Sequence, residues 1–147
     1  MTKISRSALV MFTDQQMFDL VNDVEKYPEF LPWCRQVEVI ERSSDKMIAT
    51  IVAQKAGVSR SFTTSNQMLA RTQIIMDFQD GPFEHLHGVW TFKALGESGS
   101  KVALDLDFNF KRGLVNFAFK KMFEPAADSM MKAFVCRAEN VYDQSGE

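Results

Sequence analysis

His85 and His87 are the first residues whose type and spacing suggest chemistry. They stand two apart in a segment of alternating polarity, so on a strand both imidazoles point to one side, and with a third donor they could ligate a metal. The pattern places Thr91 and Lys93 on that side and supplies no third ligand, so solvated surface histidines are the better reading. Asp105 and Asp107 form a carboxylate pair on one strand face. Acid–base work needs surroundings that split two such groups, whereas these lie opposite an apolar face, where water keeps both ionised. Cys34 and Cys136 stand far apart and outside any C-x-x-C pair, which argues for free thiols and against a zinc or redox motif. The sequence contains no nucleophile elbow, no G-x-G-x-x-G and no P-loop. These absences predict a binding protein and not an enzyme, with no metal and no required cofactor.

The segment Tyr27-Pro28-Glu29-Phe30-Leu31-Pro32-Trp33-Cys34 is harder to dismiss. Its prolines stiffen the backbone while its aromatic side chains supply bulk. Such a corner serves equally as a packed cover over the core or as the lip of a pocket.

The elements around these residues are set by hydrophobic period. A first strand is predicted over about Lys3 to Val10. Thr13 followed by Asp14, Gln15 and Gln16 reads as an N-cap and first helical turn, with Met17, Phe18, Leu20, Val21 and Val24 as the apolar stripe. Pro28 and Pro32 confine the next stretch of chain to a short second helix and the corner. From Arg35 to Lys111 the period changes to two, giving about six strands. The clearest alternation sets Val102, Leu104, Leu106, Phe108 and Phe110 against Lys101, Ala103, Asp105, Asp107 and Asn109. In the strand before it Leu86, Gly88, Trp90 and Phe92 share a face, and Gly88 permits a bend or a close backbone approach. Turns at Arg42 to Lys46, Ala56 to Gly57, Asp80 to Pro82 and Gly96 to Ser100 imply an antiparallel meander. The chain beyond Gly113 is helical to about Tyr142, and that last helix is the one element long enough to cover the apolar face of a curved sheet.

Composition bounds the rest. The chain has 147 residues, a size at which one domain over residues 1–147 is expected. The net charge of −2 predicts no DNA-binding role and restricts any RNA contact to a local patch. The start of the chain does not read as a signal peptide and no segment is long enough to span a bilayer, which predicts a cytoplasmic location. The count of 13 Phe and 9 Met supplies either a large core or an adaptable apolar cavity.

The apolar pattern of the C-terminal region contains a break. Leu114, Val115, Phe117, Ala118, Phe119, Met122 and Phe123 spread over an arc of roughly 240°, wider than one buried face. The later set, Met130, Met131, Phe134, Val135, Ala138, Val141 and Tyr142, points roughly 150° away on the same wheel. Pro125 stands between the two sets, so a kink or break is expected there; either it lets both halves pack on the core, or Gly113 to Glu124 forms a separate amphipathic segment with Phe119 and Phe123 exposed beside Lys120 and Lys121 as a gate for a membrane or partner.

Asp23-Val24-Glu25-Lys26 followed by the Tyr27 to Cys34 corner resembles the hallmark of the START-like coenzyme Q-binding proteins and the related ribosome association toxins. The resemblance continues through Asp80-Gly81-Pro82-Phe83, Leu86, Gly88-Val89-Trp90-Thr91-Phe92, Met131-Lys132-Ala133-Phe134 and Arg137-Ala138, in that order. It implies an α+β helix-grip fold, a curved antiparallel sheet of about seven strands around a long C-terminal helix, with two short helices after strand one. The resemblance also implies two functions. One is non-catalytic binding of a hydrophobic ligand, ubiquinone, in support of respiration. The other, a toxin of a toxin–antitoxin pair, is ribosome binding that blocks subunit association. For the first, alternation supplies Phe62, Met76, Phe78, Leu86, Trp90, Leu106 and Phe108 as cavity lining, with Trp33 at the rim. A ribosomal subunit or an anionic inner-membrane surface would meet Lys111, Arg112, Phe119, Lys120, Lys121 and Phe123, with Lys132 and Arg137 as further cations. The first function is taken as the main expectation and the second as its alternative.

Overall fold

The computed structural model describes residues 2–55 and 57–142. The chain runs β1 (Thr2–Val10), α1 (Asp14–Asn22), a 3₁₀ helix (Val24–Glu29), β2 (Cys34–Arg42), β3 (Lys46–Lys55), β4 (Val58–Leu69), β5 (Gln73–Asp80), β6 (Phe83–Leu95), β7 (Gly99–Phe110), α2 (Leu114–Asp128) and α3 (Met130–Tyr142). All strands join one antiparallel sheet in the order β1-β7-β6-β5-β4-β3-β2, a meander closed at one edge by the first strand. Bulges at Val39/Glu41, Thr63/Thr64 and Phe83/His85 add local twist, which curves the sheet towards the helices.

Local chemistry accounts for the elements. Thr13 caps α1 through its side chain, and Gln16 returns a bond to the Thr13 N–H, a reciprocal capping box. Pro28 sits inside the 3₁₀ helix, where its missing N–H removes one i→i+3 bond and helps keep the helix short, ending at Glu29. The strands alternate as predicted: Val102, Leu104, Leu106 and Phe108 are buried, and Asp105 is exposed. The turns after Arg42, at Gly81-Pro82 and after Leu95 fall where expected, and in the β3–β4 turn Gly57 adopts φ +82° while Ala56 lies outside the described residues. The turn at Ala70 to Thr72 was not foreseen.

The expected break at Pro125 lies instead at Ser129. Pro125 is exposed within α2, so its ring and the freed carbonyl face solvent. Ser129 carries the helical path onward, its N–H donating to Pro125 O and its carbonyl accepting from Ala133 N, both at 3.1 Å. Across this joint the buried set turns from Phe119, Met122, Phe123, Ala126 and Ala127 to Met131, Phe134 and Ala138. On a common wheel that is a rotation of roughly 85°, less than the apolar pattern implied, because Leu114, Val115 and Phe117 are not buried. The edge strand clasps the helical layer, with Thr2 Oγ1 donating to Glu124 at 3.0 Å and Arg6 paired with Asp128.

Candidate functional site: an apolar cavity and an exposed basic patch

Between sheet and helices lies a narrow apolar cavity of about 70 Å³, several times what one water needs. Of the expected lining, Trp33, Phe62, Met76, Leu86, Trp90 and Leu106 surround it, and Trp33 is a buried wall with only 5 % exposure, not an open rim. Phe78 and Phe108 do not line it. They belong to an aromatic cluster at one end, where both pack against Phe83. The helical side is closed by Phe123, Met130 and Phe134, and the 3₁₀ helix contributes Val24 and, at the start of the corner, Tyr27.

The corner is fastened to α3 by rings and charge. Phe134 meets Tyr27 at 5.3 Å and Phe30 at 5.2 Å in edge-to-face contacts. Arg137 lies over Phe30 and donates to Glu29 at 2.8 Å, and that hydrogen bond holds the Glu29 carboxyl below the ordinary carboxylate range. Burial pushes the Tyr27 phenol far up, and as a neutral hydroxyl it donates to Val21 O. The corner is thus both cover and cavity wall, which resolves the two readings left open by its sequence.

Two polar residues face this apolar space. Thr64 and Asn66 alternate with Phe62 and Met68 along β4, so all four share the inward face, and all are buried. Alternation from Phe62 exposes this pair in the sequence, but attention to apolar positions alone passes over it.

The other candidates separate. His85 Nε2 bonds Asp107 at 2.6 Å and His87 Nδ1 bonds Asp77 at 2.7 Å across neighbouring strands. Asp105 instead accepts from Ser5, so the two carboxylates have different partners on the wet face. Among the described residues no group of three His, Cys, Asp or Glu side chains could hold a metal. Cys34 is buried and Cys136 exposed, and burial pushes the Cys34 thiol up to about 11. At pH 8 about one Cys34 in a thousand is then a thiolate, so a disulfide-exchange reagent is expected to titrate Cys136 alone in the native protein and both thiols after unfolding. Rapid loss of both thiols in the native state would mean that Cys34 is open to solvent.

The second feature is on the surface. Of the two readings of this segment the packed one holds for Phe119 and Phe123, and the gate does not: they are core with 0 % and 3 % exposure, because their i, i+4 spacing aims both rings into the cluster around Phe83. The apolar surplus of α2 is carried instead by Leu114, Val115 and Phe117, which are 88 %, 59 % and 54 % exposed. Lys121 lies over the Phe117 ring at 5.1 Å. Lys111, Arg112 and Lys120 border an adjoining hollow of about 230 Å³ with Gly113 and Asn116. Among the described residues none of these cations is paired with a carboxylate. The α2 N-terminus has no side-chain cap, so its free N–H groups add to the positive field.

The family model for polyketide cyclase / dehydrase and lipid transport proteins matches residues 12–135. This chain belongs to that family. It is 46 % identical over 144 residues to a Vibrio cholerae protein named ribosome association toxin RatA, covering 98 % of this chain and all 100 % of that one. A mitochondrial coenzyme Q-binding protein of Xenopus laevis is 29 % identical over 94 % of this chain and 58 % of its own length. Among solved structures, an aromatase/cyclase of a Streptomyces species superposes with a TM-score of 0.79 at 16 % identity, covering 94 % of this chain and 93 % of that one. At that identity the likeness speaks for the fold alone, and the fold is the START-like one that the corner motif implied. Among the described residues no helix is long and apolar enough to cross a membrane.

Proposed function

We propose that this chain is a ribosome-directed binding protein that hinders association of the ribosomal subunits. The similarity over nearly its full length to proteins named for that role supports this reading better than it supports quinone binding, which the sequence put first. The observation that carries it is the patch at the start of α2, where apolar side chains stand open to solvent among unpaired cations. Monomeric proteins seldom expose such a cluster without a partner, and phosphate-rich RNA with unstacked bases fits both halves of it. A role on the ribosome places the protein in the cytoplasm.

The test is reassociation of purified subunits in a sucrose gradient. The wild-type protein is expected to lower the assembled fraction, and Leu114→Ser with Phe117→Ser, or Lys111→Glu with Lys121→Glu, to restore it. These positions are exposed, so thermal stability should stay within about 0.5 kcal/mol of wild type. A wild-type protein that leaves reassociation unchanged sinks the proposal, as do patch variants that act like wild type. Binding of the variants to anionic vesicles distinguishes a membrane surface from RNA.

The cavity favours a second reading, in which the same fold holds a hydrophobic small molecule without catalysing a reaction. Ubiquinone is the ligand proposed for it, by similarity to the coenzyme Q-binding protein.

A further inference from the structure

Thr64 and Asn66 stand where the rest of the cavity wall is almost wholly apolar. Both side chains come from the middle of β4, and each residue is only 7 % exposed. Thr64 Oγ1 donates to Asn66 Oδ1 at 2.9 Å, which occupies the amide oxygen and fixes the plane of the amide. Among the described residues no protein group accepts from Asn66 Nδ2. Nδ2 is not among the sealed polar atoms of the interior: it opens onto the cavity space, where a guest can reach it. The neighbours cannot supply the missing acceptor. Asn66 pairs across the sheet with Met47 and Met76, and Thr64 with Ala49 and Phe78. The methionines are also the parts of this wall that can yield to a guest, since their thioether chains repack easily.

We propose that Thr64 and Asn66 form the polar subsite of the cavity and select an apolar ligand that carries a carbonyl oxygen. The inference rests on reading the cavity as a hydrophobic-ligand site. The ligand's oxygen takes the hydrogen bond from Asn66 Nδ2, Thr64 holds the amide in the donating orientation, and the aromatic walls cover the hydrocarbon part. Neither residue is asked to transfer a proton or form a bond, so the role is recognition.

The experiment compares acetophenone with α-methylstyrene, which has a methylene group where acetophenone has its carbonyl oxygen; both are larger than the cavity of about 70 Å³, so either enters only as Met76 and Met130 in its wall repack. Affinities are read by calorimetry and by fluorescence of Trp33 and Trp90, both in the cavity wall. Differences in hydrophobicity cancel when the affinity ratio is compared between variants. Asn66→Leu is expected to shift that ratio about tenfold against acetophenone, as loss of one hydrogen bond requires. Thr64→Val, which keeps the shape, should shift it in the same direction and decides the matter if Asn66→Leu fails to fold. If both probes bind and neither variant changes the ratio, the subsite is overturned while the hydrophobic-ligand reading stands. If neither probe binds the wild-type protein, that reading falls and the subsite with it.

Discussion

Phe83→Ala is expected to cost about 3–5 kcal/mol of stability, a large share of what a domain of this size possesses. Phe83 is fully buried and sits at the hub of the aromatic cluster. Its ring lies 5.0 Å from Phe110, 5.1 Å from Phe123, 5.5 Å from Phe62 and 5.7 Å from Phe119. These contacts join β4, β6, β7 and α2, and the rings meet mostly edge-on, an arrangement that smaller side chains cannot refill. Truncation therefore leaves a void with rigid walls on every side. Urea unfolding measures the loss, with Phe78→Ala as a comparison from the half-buried margin of the same cluster, where the cost should be smaller. A loss below about 1.5 kcal/mol for Phe83→Ala would mean that the cluster relaxes around the gap, and α2 would then lack its main anchor.

That anchor explains why the surface patch was legible only in part. The helical wheel showed more apolar residues in Leu114 to Phe123 than one face can bury, and the surplus is real. Which residues form it depends on the helix's rotation about its own axis, and that is set by the distant rings of Phe62, Phe83 and Phe108, which no local pattern specifies. The alternating strands were readable because one face is dry and the other wet, a contrast written into every second residue. The β4–β5 turn was not, because it uses neither Gly, Pro nor Asn. Ala70 and Arg71 adopt φ of +51° and +56°, a conformation such residues avoid unless held. The hold is tertiary: the Arg71 guanidinium bonds Gln15, pairs with Asp19 at 2.5 Å and lies 4.8 Å from the Phe18 ring centre, all on α1. The corner motif was the most informative segment, since it led to the fold through a resemblance that composition and period alone would not have reached. It did not decide between the two functions, because both use the same scaffold.

Two glycines separate the stability of that scaffold from the use of its cavity. At Gly81 the backbone has φ +140°, and an added Cβ would stand 2.7 Å from Phe62 Cβ and 3.0 Å from Phe62 Cα. Backbone of the neighbouring strand cannot step aside as a side-chain tip can. Strain of about 1–3 kcal/mol from the dihedral adds to about 1–3 kcal/mol from overpacking, so Gly81→Ala should cost about 2–6 kcal/mol. Gly88 contrasts with this. Its Cβ would meet Met76 Cε at 2.5 Å and Leu106 Cδ1 at 2.9 Å, the free ends of two flexible side chains that line the cavity. Those ends can move, but only into the space a ligand would fill. Gly88→Ala is therefore expected to cost less than about 1.5 kcal/mol while weakening acetophenone binding about tenfold. Denaturation and calorimetry on the two variants give the comparison directly. Equal stability losses, or a Gly88→Ala protein that binds as tightly as wild type, would mean that the inward side of β6 does not set the room in the cavity.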